Sequence, residues 1–417
     1  MTAASRTFVV ADRILRVQRE QWLDPEELQR RQWSRFQRVM RHAFESTSFY
    51  ARKFRDAGLT PDDIRDRGDV MRIPVVARAE LRHPEALVPR RFRPEGLRHS
   101  FSSGSTGESV KTYFDPEGWF TGKHLLKLRA RWACGVRPWD RAALFRAGSF
   151  TNSRVRRRVS RQQSFSVHDP VEEILPEIRR FDPTVLYGFP SHFKELAEIW
   201  PSDLRPRRIF TSGEMLDGES RRRIEAALGG PVYDIYGCTE VKEIAWECPA
   251  RDGYHVNADW LLVETLAEDD AIVVTSLYNY GMPLIRYRLG DTGKFLNERC
   301  RCGRTLPLMA PGFGRSVDTF RLPDGRRVSP YTLINSVEVV PEVRQFQIVQ
   351  ESGARVVVAV VPGPGFDDRA ERHIRSVLDP HLPGVTIEVR PVDSIPREPS
   401  GKYRMAFSRV AQPAARI

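Results

Sequence analysis

The sequence predicts an α/β chain in two parts. A large N-terminal domain over residues 1–313 combines mixed sheets, helices and a small barrel-like β part, and a small α+β domain follows over 314–417. Three observations predict it. Between residues 110 and 230, apolar runs of strand length at 142–145, 184–187 and 208–211 alternate with helical stretches at 171–181, 192–200 and 219–228, the pattern of largely parallel strands covered by helices. Beyond Val263 the pattern changes to short strands at 271–277 and 284–287, parted by Asn279, Gly281 and Pro283, which suit hairpins or a small barrel. After Gly312-Phe313-Gly314 the chain reads as strands at 346–350 and 355–361, a helix at 367–378, a strand at 385–389 and a polar loop.

Local signals fix individual elements. Asp24-Pro25-Glu26-Glu27 opens a helix, with Asp24 capping free amides, proline in the first turn and Glu27 reaching back. Trp33, Phe36, Met40, Ala43 and Phe44 form its apolar stripe, and Arg31, Arg35 and Arg38 take the opposite face. Gly229-Gly230 closes the helix at 219–228, and 232–235 continues as a buried strand.

Composition excludes several function classes. No run approaches about 20 apolar residues, and Asp12 and Arg13 interrupt the one apolar patch near the start, so neither a membrane span nor a secretory leader is read and a cytoplasmic protein is expected. Of 66 basic residues only eight are lysines, leaving 66 − 8 = 58 arginines spread from Arg6 to Arg416. So even a spread, despite a net charge of +12, disfavours a nucleic-acid partner, and the run from Arg154 to Arg161 reads as a solvated face. Five cysteines, an odd number, argue against a disulfide framework and toward a metal.

Four segments carry chemistry. Ser102, Ser103, Gly104, Ser105, Thr106 and Gly107 form a hydroxyl- and glycine-rich loop whose amides can converge on phosphate oxygens, without the Gly-Lys-Ser/Thr ending of a P-loop. In the segment from Tyr233 to Glu240, Asp234, Tyr236, Gly237 and Thr239 suit a nucleotide: Tyr236 stacks on a base, Thr239 bonds a phosphate, and Glu240 holds magnesium. Asp291, in Leu289-Gly290-Asp291-Thr292-Gly293, suits the two hydroxyls of a ribose. Lys402, on the Pro/Gly-rich loop Pro396-Arg397-Glu398-Pro399-Ser400-Gly401-Lys402, places an ammonium where charge builds as a carboxylate attacks a phosphate.

In this order the segments resemble the adenylate-forming superfamily and, within it, the phenylacetate–CoA ligase-like family. Further matches are Ile73-Pro74, Phe189-Pro190-Ser191, Ser212-Gly213-Glu214 and the stretch from Pro283 to Asp291. The resemblance implies ATP-dependent activation of a carboxylic acid as an acyl-adenylate, then transfer to CoA after the small domain rotates. It implies that Gly213 and Glu214 line the adenine and acyl pocket, that Asp291 holds ribose, that Arg315 contacts ribose or phosphate, and that Lys402 serves the first half-reaction with Thr239 and Glu240. Phe150, Tyr187, Phe189 and Gly213 would surround the acid, and their rings favour an aromatic one. A homodimer is the expectation by analogy. Two departures stand out: Glu108 where a lysine commonly ends the phosphate loop, and Val317 where an acidic hinge residue is usual. Glu108 bears on contact with the outgoing phosphates and Val317 on the hinge, so thioester formation is less assured than adenylation and an adenylating enzyme with a non-CoA acceptor is the alternative.

Cys248, His255, Cys300 and Cys302 supply three thiolates and an imidazole, a set that tetrahedral zinc takes. The spacing alone leaves scattered buried cysteines as an equal alternative. The resemblance implies a structural zinc.

Overall fold

The computed structural model describes residues 3–101, 110–148, 161–315, 320–328, 330–399 and 401–410. Its backbone forms two compact units, one of Met1–Pro138, Tyr233–Leu289 and Gly293–Pro311, the other of Trp139–Val232, Gly290–Thr292 and Gly312–Ile417.

The first unit opens with three helices, Ala3–Glu20, Pro25–Ser46 and Ser48–Asp56. Asp24 caps the second as expected, accepting from the Glu26 amide at 2.9 Å. Glu27 does not reach back; its carboxylate is taken by the guanidinium of Arg31 at i+4 (2.6 Å) and by Arg30 at i+3, charge-assisted partners one turn on. The stripe Phe36, Met40 and Ala43 is buried, joined by Leu28 and Val39. Arg35 departs from the polar face assigned to it. It lies buried, bonding Glu20 (2.6 Å) and the Asp259 carbonyl (2.5 Å) and stacking 4.3 Å over Trp260. Periodicity puts charge outside, and here a buried carboxylate reverses that rule. Deeper still, Arg129 is wholly enclosed by Asp259, Asn257 and the Val17 carbonyl, which satisfies its fork.

The antiparallel pair Arg98–Phe101 and Lys111–Phe114 brackets the hydroxyl-rich loop, which itself lies outside the described residues. The sheet of this unit runs in the order Leu261–Thr265, Ala271–Ser276, Tyr287–Leu296, Leu308–Arg315, Tyr254–Val256, Lys242–Glu247, Val232–Cys238. The expected strand at 271–277 is present and forms a hairpin with Leu261–Thr265. The one expected at 284–287 begins only at Tyr287. Arg286 adopts φ 50° instead of extended backbone, and its guanidinium caps the carbonyls of Met71 (2.8 Å) and Ile73 (2.5 Å) beside Glu264.

In the second unit, Gln162–Ser166, Ala142–Arg146, Val185–Gly188 and Arg208–Ser212 pair in parallel in that order. The connecting helices are Val171–Phe181, Pro190–Ile199 and Gly218–Leu228, and the last ends at Gly229 in the left-handed region (φ 76°) as its sequence requires. Phe145, Phe165, Ile178, Leu186, Phe193, Leu196, Ile209 and Ile224 fill the space between strands and helices. Residues 320–406 contribute a core of their own, with Phe320, Leu333, Val337, Ile348, Val358, Ile374 and Leu378 at its centre. There Val343–Ser352 and Arg355–Pro362 pair antiparallel, flanked in parallel by Ala406–Ser408 and Thr386–Pro391. Asp368–Leu378 and Pro330–Glu338 are its helices; the second went unread in the sequence.

Candidate active site and candidate metal centre

In the first unit the strand Val232–Cys238 delivers its residues to a sharp corner. Gly237 sits at a register shift, and a Cβ there would fall 2.4 Å from the Lys242 carbonyl oxygen, so only glycine allows this approach. Glu240 beyond it is buried, its Oε1 accepting from Arg78 (3.1 Å) and from the hydroxyl of Tyr287 (3.3 Å). Burial, then the Glu240 charge, pushes the Tyr287 phenol well up, so it remains a donor. Asp234 accepts from the Tyr254 hydroxyl at 3.0 Å, while its amide donates to Glu247 at 2.8 Å. Asp291 lies half-buried on Tyr287–Leu296, after Gly290 at φ 86°, and Arg315 ends the strand Leu308–Arg315; both fall in stretches counted with the second unit. Ser102 through Gly107, Glu108, Phe150 and Val317 lie outside the described residues.

One residue of this corner was missed from sequence. Lys242, in the left-handed region at φ 60°, donates to Ser100 Oγ (2.6 Å) and the Thr239 carbonyl (2.8 Å) and stands 4.4 Å from the Phe114 ring. Burial pulls it down to about 8. Its signal was its type: in a chain of 58 arginines, a lysine beside a carboxylate motif stands out.

In the second unit the structure brings together Gly213, Glu214, Phe189 and Lys402. Gly213 has φ 87°; a Cβ added there would meet Phe189 Cε1 at 3.0 Å and Lys402 Cε at 3.4 Å, so the lysine stem passes directly over this glycine. Gly401, at φ 79°, presses closer still, its absent Cβ falling 2.5 Å from Val167 Cγ2. Glu214 is enclosed, with Oε1 accepting from Ser191 Oγ (3.0 Å) and the Tyr403 amide (2.5 Å), and Oε2 from the Ser191 amide (3.0 Å). Desolvation raises its carboxyl, opposed by Arg397 and these hydrogen bonds. Tyr187 stacks on Phe210, ring centres 6.2 Å apart.

Cys248, His255, Cys300 and Cys302 also converge, all in the first unit. Cys248 follows the strand Lys242–Glu247, His255 lies in Tyr254–Val256, and the other two occupy the turn before Leu308–Arg315. Their ligand atoms all fall within 4.8 Å of one another, with Sγ of Cys248 and Cys300 3.5 Å apart and Cys302 Sγ 3.3 Å from His255 Nε2. The edge of a zinc–thiolate tetrahedron is about 3.8 Å, so this donor set fits the ion with little adjustment. Burial, then Arg304, pushes His255 down to about 4, leaving a neutral ring.

Phenylacetate–coenzyme A ligase of Thermus thermophilus is 29% identical over 357 residues, 78% of this chain and 79% of the relative. That of Pseudomonas putida is 27% identical over 320 residues, 70% of each chain. The resemblance to phenylacetate–CoA ligases is borne out. The family model of the CapK C-terminal domain matches residues 320–409. Among solved structures, 2-hydroxyisobutyryl-CoA ligase in its postadenylation state superposes with a TM-score of 0.77 at 22% identity, over 94% of this chain and 92% of that one. The chain thus has the adenylate-forming CoA ligase fold. Among the described residues no helix is long and apolar enough to cross a membrane.

Proposed function

We propose that this protein activates a carboxylic acid with ATP as an acyl-adenylate and passes the acyl group to CoA. The observation that carries the reading is the placement of the Lys402 stem over Gly213 beside Phe189, with Glu214 fixing the next amide. An ammonium held there stabilises the charge that develops when the acid's oxygen attacks the α-phosphorus and pyrophosphate leaves. Thr239 would bond the α-phosphate, and Glu240, with Oε1 oriented by Arg78 and Tyr287, would hold magnesium through its other oxygen. Asp291 and Arg315 are assigned to the ribose and its phosphate, Asp234, Tyr236 and Gly237 to the nucleoside, and Ser102 to Gly107 to the phosphates. Phe150, Tyr187 and Phe189 favour an aromatic acid, and phenylacetate is the first to test because related ligases bear its name. Cys248, His255, Cys300 and Cys302 would hold a structural zinc; four protein ligands leave it no open position for chemistry.

ATP–pyrophosphate exchange over a panel of aromatic and aliphatic acids tests the first step, and CoA-dependent release of AMP tests the second. Exchange with an aromatic acid and AMP release that requires CoA are expected. Exchange without a CoA requirement would replace CoA by an amine or carrier protein, the acceptor that the departures at Glu108 and Val317 favour. No exchange with any acid would overturn the reading.

A further inference from the structure

Lys402 is bracketed on both sides, and one bracket belongs to a residue without an assigned role. The peptide after it is held through the Tyr403 amide by Glu214 (2.5 Å). The peptide before it is held through the Gly401 carbonyl, which accepts from Arg397 Nη1 at 3.2 Å. The same Nη1 donates to Ser191 Oγ (2.6 Å), and Nη2 donates to Glu195 Oε1 (2.6 Å). Ser191 Oγ is a relay, accepting from Arg397 and donating to Glu214 at 3.0 Å, so the two brackets form one network. Glu195 is itself steadied by Gln345 Nε2 at 3.1 Å, with Nδ1 of the buried His192 3.6 Å away. Inside the loop, the Glu398 amide donates to the Lys402 carbonyl (2.9 Å) and the Gly401 amide to the Glu398 carbonyl (2.8 Å), a tight turn with the lysine at its exit.

The side chains of Arg397 and Glu214 are only 10% and 8% exposed, so these charge-assisted bonds act away from bulk water and hold the loop firmly. The fork is also specific. Its two nitrogens must reach a carbonyl, a hydroxyl and a carboxylate that diverge, a task for a planar guanidinium and not for the point charge of an ammonium.

We propose that Arg397, anchored by Glu195 and Ser191, is a positioning residue that fixes Lys402 for acyl-adenylate formation and takes no part in acyl transfer. This inference rests on the adenylation reading above. A misplacement of about 1 Å at a reacting group can cost about 100-fold in rate. Arg397→Ala should therefore slow pyrophosphate exchange by about 10- to 100-fold through kcat, with KM for acid and ATP little changed.

The discriminating experiment is a cycle of Arg397→Ala, Lys402→Ala and the double variant. Each is assayed for exchange with the acid fastest for the unmodified protein, and for CoA acylation from that acid's preformed adenylate. If Arg397 acts through Lys402, the double variant is no slower in exchange than Lys402→Ala alone, and acylation from preformed adenylate stays near the unmodified rate in all three. Arg397→Lys should recover little. Additive losses in exchange, or equal losses in both half-reactions as misfolding would give, would overturn the inference while leaving adenylation standing. Absence of exchange in the unmodified protein would bring down adenylation and this inference with it.

Discussion

The cysteine–histidine cluster and the Lys402 loop both gather polar groups out of water, yet they do so by opposite means. The cluster collects four soft donors from one strand, the residue after another strand and one turn, the nearest thiols 3.5 Å apart. The loop is held by a mesh of hydrogen bonds from Arg397, Ser191, Glu195 and Glu214, drawn from segments about 200 residues apart in sequence. Donors fixed by backbone on a strand and the connections beside it suit a permanent ion. Directional charge-assisted hydrogen bonds among side chains, shielded from bulk water, suit a loop that on the proposed reading is held in one geometry for adenylation. On the proposed reading, the first arrangement serves the fold and the second serves the reaction.

The largest expected effect lies at the proposed zinc site. A chelator, or Cys300→Ser, should strip one zinc per chain by elemental analysis and lower the melting temperature sharply, because structural zinc contributes on the order of 10 kcal/mol where it organises a fold. A zinc-free native protein with an unchanged melting curve would make the cluster a set of ordinary buried thiols. Next in size, Lys402→Ala should cut pyrophosphate exchange by about 100- to 1,000-fold with melting little changed, since one preorganised charge contributes about that much. Retained exchange would sever the loop from the first step.

Gly401→Ala asks whether the close approach matters. A methyl 2.5 Å from Val167 Cγ2, on backbone at φ 79°, should displace the loop and slow exchange by about tenfold while leaving acylation from preformed adenylate intact. Equal rates would mean that the loop acts from elsewhere.

The smallest effect is one of pH. Glu338, 3.1 Å from Lys194 and 3.3 Å from Ser220 Oγ, is raised to about 8 by burial and by Asp217. A carboxyl that holds its proton more tightly when folded gives stability that is full below its unfolded value near 4.5 and declines as pH rises toward 8. Glu338→Gln should flatten that decline in melting temperature between pH 5 and about 8. An identical slope in the variant would assign the dependence to other groups.

Sequence reading recovered what is written locally. The strands and helices of 142–228 came through because apolar runs and end signals such as Gly229 coincide within a few residues. Lys402 and Gly213 were legible as motifs, and Cys248, His255, Cys300 and Cys302 as a residue set. What escaped is non-local or mixed in character. The helix Ala3–Glu20 interleaves charge with apolar residues, and Arg35 reads as solvent-facing until Glu20 is known to lie buried beside it. Arg397 and Ser191 are 206 residues apart, and no periodicity couples them. Lys242 escaped because its burial against Phe114 and its bond to Ser100 join segments more than 100 residues apart.

The short strand Ala406–Ser408 begins four residues after Lys402 and lies in parallel register along Val343–Ser352, with Ile348 opposite Ala406. The lysine is therefore geared to a sheet and does not hang from a free tail. A shift of that sheet by a few ångström carries the ammonium with it, so a spectroscopic label on an exposed position of the sheet would report on Lys402 without touching it.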